Sequence, residues 1–290
     1  MRLPLLLSLV AAVGLQAADA PKAEPPGLPL WSGAVPDGSG GVDAKGQPTV
    51  TVHRAPQGDG TAIVICPGGG YGGLVTGAEG HGIAAWLNRN GITGVVLEYR
   101  MPGGRSEVPL LDAQRALRLV RHHAKDWGVK PDRIGILGFS AGGHLAATAA
   151  TLHEPGRADA ADPVDRQDSR PDFAILVYPV ITMGPEGHGG SRGNLLGRDP
   201  GDDRLRRFSA ELQVTPRTPP IFLAHAVDDR AVPISNSRKM AAALEAKGIP
   251  HVLLELPDGD HGLNGYQGAS WDRWQRESLA WIRSLGAPKP

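Results

Sequence analysis

Ser140 stands in Gly138-Phe139-Ser140-Ala141-Gly142, directly after the apolar run Ile134 to Leu137 and directly before a small-residue stretch from Ala141 to about Leu152. This is a G-x-S-x-G pattern between a buried strand and a helix, the setting in which a sharp turn lifts a serine hydroxyl above a sheet. The flanking glycines are expected where a Cβ would collide with the neighbouring strand and helix. The N–H of Ala141 lies in the first helical turn, where unpaired donors and the helix dipole favour a developing oxyanion. The chemistry that such a serine supports is acyl transfer.

A serine hydroxyl is a poor nucleophile without a base. The base has to reach it from a loop at the C-terminal end of a strand, where crevices open in sheets of this kind. Among the ten histidines, His261 fits best. It lies in Pro257-Asp258-Gly259-Asp260-His261-Gly262, a polar turn directly after the strand ending at Leu256. His225 falls inside a strand and His251 at a strand's start, which suits packing or edge positions. His122 and His123 sit on a helix, and His144 supports the serine turn. His53, His81, His153 and His188 follow no buried strand and read as surface residues. An acid is needed to orient the imidazole. Asp228 and Asp229, after another strand, are the two candidates, whereas Asp258 and Asp260 read as turn formers. For the oxyanion, Gly68-Gly69-Gly70 after the strand ending at Cys66 offers backbone that approaches a substrate closely, with Gly69 or Gly70 pairing with Ala141 as donors.

These loops need a scaffold. Alternating β-branched residues suggest an edge strand over Thr49 to Arg54. Apolar runs at Thr61 to Cys66, Ile92 to Tyr99, Phe173 to Pro179 and Ile221 to Val227 read as buried strands, with a further strand from His251 to Leu256. Helical spacing covers about Ala78 to Asn90, Pro109 to Trp127, Ile234 to Lys247 and Ser270 to Leu285. In the last of these Trp271, Trp274 and Trp281 read as core rather than as a sugar-stacking platform. Strand and helix units alternate, so an α/β fold is expected, with a mainly parallel sheet covered by helices on both faces. The Gly-, Arg- and Asp-rich stretch Ile181 to Pro219, with one helix around Asp203 to Leu212, is the place for a small cap.

The 290 residues, 41% of them hydrophobic, suit one large domain with a real core. Thirty basic and thirty acidic residues cancel, and no basic stripe appears, which argues against nucleic acid or an anionic membrane as partner. Met1-Arg2, the apolar Leu3 to Leu15 and the small residues to Ala20 have the three parts of an export signal. The expected organisation is therefore a signal peptide over residues 1–20, an N-terminal linker over 21–47 and a single catalytic domain over 48–290. The product would be secreted or periplasmic, with no membrane partner once the signal is removed. Cys66, the only cysteine, rules out an internal disulfide and reads as a packing residue. No H-E-x-x-H or phosphate-loop context appears, so no metal or other cofactor is implied.

Pro-Gly-Gly-Gly-Tyr at 67–71, Glu98-Tyr99-Arg100, Gly138 to His144, Asp228-Asp229 and the His261 loop together resemble the secreted esterase branch of the α/β-hydrolases, over about residues 48–286. The likeness is to bacterial acetylxylan and feruloyl esterase-like proteins, also described as xylanase-B-like. It implies the α/β-hydrolase fold and the chain order Ser140, Asp229, His261 for nucleophile, acid and base, Asp229 standing four residues before Pro233. Pro67 replaces the histidine that precedes the glycines in hormone-sensitive-lipase-type enzymes and moves the chain away from that branch. The expected function is a serine esterase that deacetylates or deferuloylates plant polysaccharide. A general small-molecule carboxylesterase, a peptidase and a non-catalytic carbohydrate-binding relative are the alternatives.

Overall fold

The computed structural model describes residues 25–41, 43 and 46–285; the stretch read as an export signal lies outside them. The chain opens with β1 (Leu28–Pro29), β2 (Thr49–His53) and β3 (Ala62–Cys66). Then come α1 (Gly82–Arg89), β4 (Thr93–Glu98), α2 (Glu107–His122) and α3 (Ala124–Trp127). β5 (Ile134–Phe139) runs without a break into α4 (Ser140–Thr151), and β6 (Phe173–Val177) follows. α5 (Gly189–Leu196) and α6 (Asp202–Phe208) precede β7 (Ile221–Ala226), α7 (Ser235–Ala246) and β8 (His251–Leu256). The short turn α8 (Leu263–Tyr266) leads into α9 (Gly268–Leu285).

The strands form one eight-stranded sheet in the order β1-β2-β4-β3-β5-β6-β7-β8. β1 and β2 are antiparallel to their neighbours, and every pairing from β4 to β8 is parallel. The chain steps from β3 outward to β4 and then crosses back to β5 on the other side. The C-terminal ends of β3 and β5 thus flank the point where strand order reverses, which is where crevices form in such sheets.

The apolar runs are strands because both faces of the sheet are covered. In β3, Val64 and Cys66 face one core with Leu110, Ala113 and Leu117 of α2 and Leu145 of α4. Ile63 and Ile65 face the other core, with Ile83 and Leu87 of α1 and Trp274 and Ile282 of α9. Period-two alternation therefore feeds two cores at once, and each fully buried isoleucine or valine contributes about 2 kcal/mol. Trp271 and Trp274 are core residues, as their helical spacing suggests. Cys66 is buried too, and its enclosure pushes the thiol pKa up.

Two helix boundaries differ from the expectation. The long helix read as Pro109 to Trp127 is broken at His123 into α2 and α3. The cap helix is shorter, Asp202–Phe208 followed by a tight turn at Ala210–Gln213, and α5 precedes it. The segment read as a linker lies along the surface but is tied down. Leu28 pairs with Val50, Leu30 is buried, and the Trp31 indole N–H donates to Asp112 at 3.1 Å.

Candidate active site

The turn between β5 and α4 places Ser140. Its φ is +52°, a left-handed value that costs a non-glycine residue about 1–3 kcal/mol. The neighbours enforce it: a Cβ at Gly138 would lie 2.0 Å from the Gly142 carbonyl oxygen, and one at Gly142 would lie 2.1 Å from the Cys66 oxygen. Strand and helix close on each other only because both positions are glycine. The Val180 N–H donates to the Ser140 carbonyl at 3.0 Å and fixes the turn from the side of β6.

Asp229 and His261 come from the loops after β7 and β8. The His261 Nε2 lies 2.9 Å from Ser140 Oγ, and its Nδ1 lies 2.8 Å from Asp229 Oδ2. A carboxylate oxygen only accepts, so Nδ1 carries the proton and the Nε2 lone pair faces the serine hydroxyl. Asp229 Oδ1 accepts the N–H groups of Ala231 and Val232 at 3.0 and 2.8 Å. Burial works against the Asp229 charge, but donors from His225, His261 and Val232 outweigh it and hold the carboxyl well below the usual carboxylate range. Asp228 does other work. It accepts the backbone N–H groups of Gly259 and Asp260 at 3.3 and 3.0 Å and so shapes the loop that carries His261. Asp260 takes part in an ion pair with Arg230 as well as in the turn.

Gly68 to Gly70 follow β3 and lie against the serine turn. Gly69 and Gly70 have φ of +131° and +65°, and among the described residues no acceptor takes their N–H groups. The loop is pinned on several sides. The Tyr99 hydroxyl donates to the Pro67 carbonyl at 2.7 Å, Asn194 Nδ2 donates to the Gly70 carbonyl at 2.9 Å, and Glu79 Oε2 accepts the Gly68 N–H at 2.6 Å. Tyr71 pairs with the buried His144 at 2.8 Å, and His144 Nε2 donates to the Phe208 carbonyl at 2.7 Å. A hydroxyl facing an imidazole, an acid behind that ring and backbone donors opposite can deprotonate an attacking serine and receive an oxyanion. Among the described residues no three His, Cys, Asp or Glu side chains gather to hold a metal ion.

The family model described as BD-FAE matches residues 52–244. The chain belongs to the BD-FAE family. The matched range contains Ser140 and Asp229 and stops short of His261. The acetylxylan esterase of Xylanibacter ruminicola is 35% identical over 256 residues, 85% of this chain and 50% of that protein. The endo-1,4-beta-xylanase B of Butyrivibrio fibrisolvens is 36% identical over 205 residues, 69% of this chain and 32% of that one. This chain thus spans half or less of the length of those curated relatives. A crystal structure of an acetyl ester-xyloside bifunctional hydrolase from Caldicellulosiruptor lactoaceticus superposes with a TM-score of 0.85 and 36% identity, covering 92% of this chain and 99% of that one. The fold is the α/β-hydrolase fold.

Three side chains around this BD-FAE site were not singled out by sequence reasoning. His225 is buried in β7, as a packing residue would be, yet its Nε2 also lies 3.2 Å from Asp229 Oδ2 and 2.9 Å from the Val232 carbonyl. Its spacing of four residues from Asp229 was the available signal. His188, read as a surface residue, caps α5, and its Nδ1 accepts the Ser191 N–H at 3.2 Å. Burial and the proximity of His261 push its pKa down. Glu79 is the third; a charged residue at the very start of the helix read as Ala78 to Asn90, just before Gly80, gave no hint of burial.

Proposed function

We propose that the chain is an exported carboxylic ester hydrolase that removes acetyl or feruloyl groups from acylated plant polysaccharide such as xylan. The observation that carries the reading is the continuous line from Ser140 Oγ through His261 to Asp229, with contacts of 2.9 and 2.8 Å. The names of the relatives support the saccharide ester as substrate, and the pattern of residues 1–20 supports export to the periplasm or the medium.

In this reading the Ser140 oxygen attacks the ester carbonyl while its proton passes to His261 Nε2. The charge on the former carbonyl oxygen is met by N–H groups of Gly69 or Gly70 and of Ala141. Asp229 stabilises the imidazolium and keeps its ring in place. The imidazolium then gives its proton to the departing alcohol, leaving Ser140 acylated. Water attacks the acyl group with His261 again as base, and the acid leaves with the serine hydroxyl restored.

The test compares the full chain with Ser140→Ala and Asp229→Asn on p-nitrophenyl acetate and on acetylated xylan, following p-nitrophenol and acetate. Ser140→Ala should abolish the burst and the turnover on both substrates. Asp229→Asn should lower kcat about 10,000-fold, since it favours the wrong imidazole tautomer. Turnover of the p-nitrophenyl ester with no acetate from xylan would leave a general carboxylesterase. Activity surviving Ser140→Ala would remove the serine mechanism altogether.

A further inference from the structure

Beneath the Gly68–Gly70 loop lies a carboxylate that the mechanism above does not use. Glu79 sits in a wide helical turn, in which the His81 N–H reaches the Thr76 carbonyl at 2.8 Å, five residues back. Such widened turns recur at functional sites. The residue is 3% exposed. Its Oε2 accepts the Gly68 N–H at 2.6 Å, and its Oε1 accepts the hydroxyls of Tyr178 and Tyr266 at 2.9 and 3.2 Å. A Cβ at Gly68 would come within 2.6 Å of that Oε2, so the first glycine of the loop is what admits the carboxylate. The Tyr178 ring, at φ +37°, lies 4.8 Å from the His261 ring, centroid to centroid. One side chain therefore holds the loop on one side of Ser140 and the tyrosine that walls the histidine on the other.

We propose that Glu79 is a positioning residue of the ester-hydrolysing site, its ionised carboxylate setting the Gly68–Gly70 loop and the His261 ring together and placing a negative charge near the imidazolium. This inference rests on the serine mechanism given above. Three donors converge on the carboxyl, the Gly68 N–H and the two tyrosine hydroxyls, and hydrogen bonds of this kind favour the charged form. Both tyrosines stay protonated as donors: burial, with Glu79 itself, drives Tyr178 well above its ordinary pKa and Tyr266 up to about 12. Burial also lifts Glu79, against the pull of Gly68, the two tyrosines and His261. Around His261 the other titratable or charged groups are Asp229 after β7, Tyr178 after β6, His188 on the cap and the Arg230–Asp260 pair at the loop's edge.

The experiment is Glu79→Gln in the full chain. Its amide oxygen still accepts from Gly68 and its NH2 turns to the tyrosine oxygens, so shape persists while charge is lost. With p-nitrophenyl acetate, kcat should fall about 10- to 100-fold, below the loss typical of deleting an oxyanion donor outright, with KM within about threefold. The acid limb of the kcat/KM–pH profile should move to lower pH, because removing a nearby negative charge disfavours the imidazolium. A folded variant with wild-type turnover, or one whose acid limb stays in place, overturns the proposal. If Glu79→Gln does not fold, the double variant Tyr178→Phe/Tyr266→Phe decides. It should slow kcat at least about fivefold at unchanged KM, and wild-type turnover overturns the proposal. Ser140→Ala run alongside keeps the failures apart: a dead serine variant beside a fully active Glu79→Gln sinks only the role of Glu79.

Discussion

His144 is enclosed in the protein with no exposed surface, between the Tyr71 hydroxyl and the Phe208 carbonyl. Burial holds its pKa down to about 4 from an ordinary 6.5. Above pH 6.5 the ring is neutral whether the chain is folded or not, and it adds no pH dependence. As pH falls through that value the unfolded chain takes up the proton first, so folding loses stability until about pH 4. At about 1.4 kcal/mol per unit, this one ring should cost roughly 3 kcal/mol across that window. Urea unfolding at pH 7.5 and 4.5 should show the loss in the parent, and His144→Gln should show a correspondingly smaller one. At this scale Ser140 and His261 were legible because each stands in a turn directly after an apolar strand, a position that few other uses of those residues share. His225, His188 and Glu79 were not. Which side chains converge from loops far apart in sequence depends on strand order and loop shape, and no spacing rule encodes either. Glu79 and Tyr178 are 99 residues apart.

Elements were read best where both their faces are apolar. β3, β5, β6 and β7 are continuous buried runs, and no helix of ordinary length competes for so short a stretch between glycines and prolines. α2 was found by its apolar face but extended too far, since Ala124 to Trp127 keeps the helical period after the axis breaks at His123. The Glu98-Tyr99-Arg100 motif shows its purpose only in three dimensions. Tyr99 props the loop at Pro67, and Arg100 pairs with the fully buried Asp112 of α2 at 2.6 Å. Asp112 also accepts the Arg100 backbone N–H at 3.0 Å and the Trp31 indole at 3.1 Å. This one carboxylate joins the end of β4, α2 and the N-terminal segment. Asp112→Ala removes the nearest counter-charge of the buried Arg100, leaving it the Pro36 carbonyl at 2.6 Å and Asp43 at 3.8 Å, and should cost about 3 kcal/mol. A loss under about 1 kcal/mol in urea unfolding would show that the junction relaxes instead.

Across the whole molecule, alternation of strands and helices announced the fold class, yet the order β4-β3-β5 and the antiparallel edge of β1 and β2 were beyond sequence patterns. Two-residue β1 is too short to carry any period. It is nonetheless how the N-terminal segment reaches the sheet, bringing the buried Leu30 with it. The cap shows the same limit. Its position was marked by composition, but the contact of Asn194 with Gly70 joins residues 124 apart.

The sealed position of Cys66 in the middle of the sheet has a practical outcome. Its sulfur is the only thiol in the chain, and a thiolate is needed for alkylation. The Cys66 side chain faces the core under α2 and α4, so no reagent reaches it until that core opens. A maleimide mass tag added to the native protein should therefore register each global opening as a single adduct. Its rate should rise with urea in step with the unfolding followed by tryptophan fluorescence, which makes the unmodified chain its own stopwatch. Rapid tagging without denaturant would mean that this core opens locally without global unfolding.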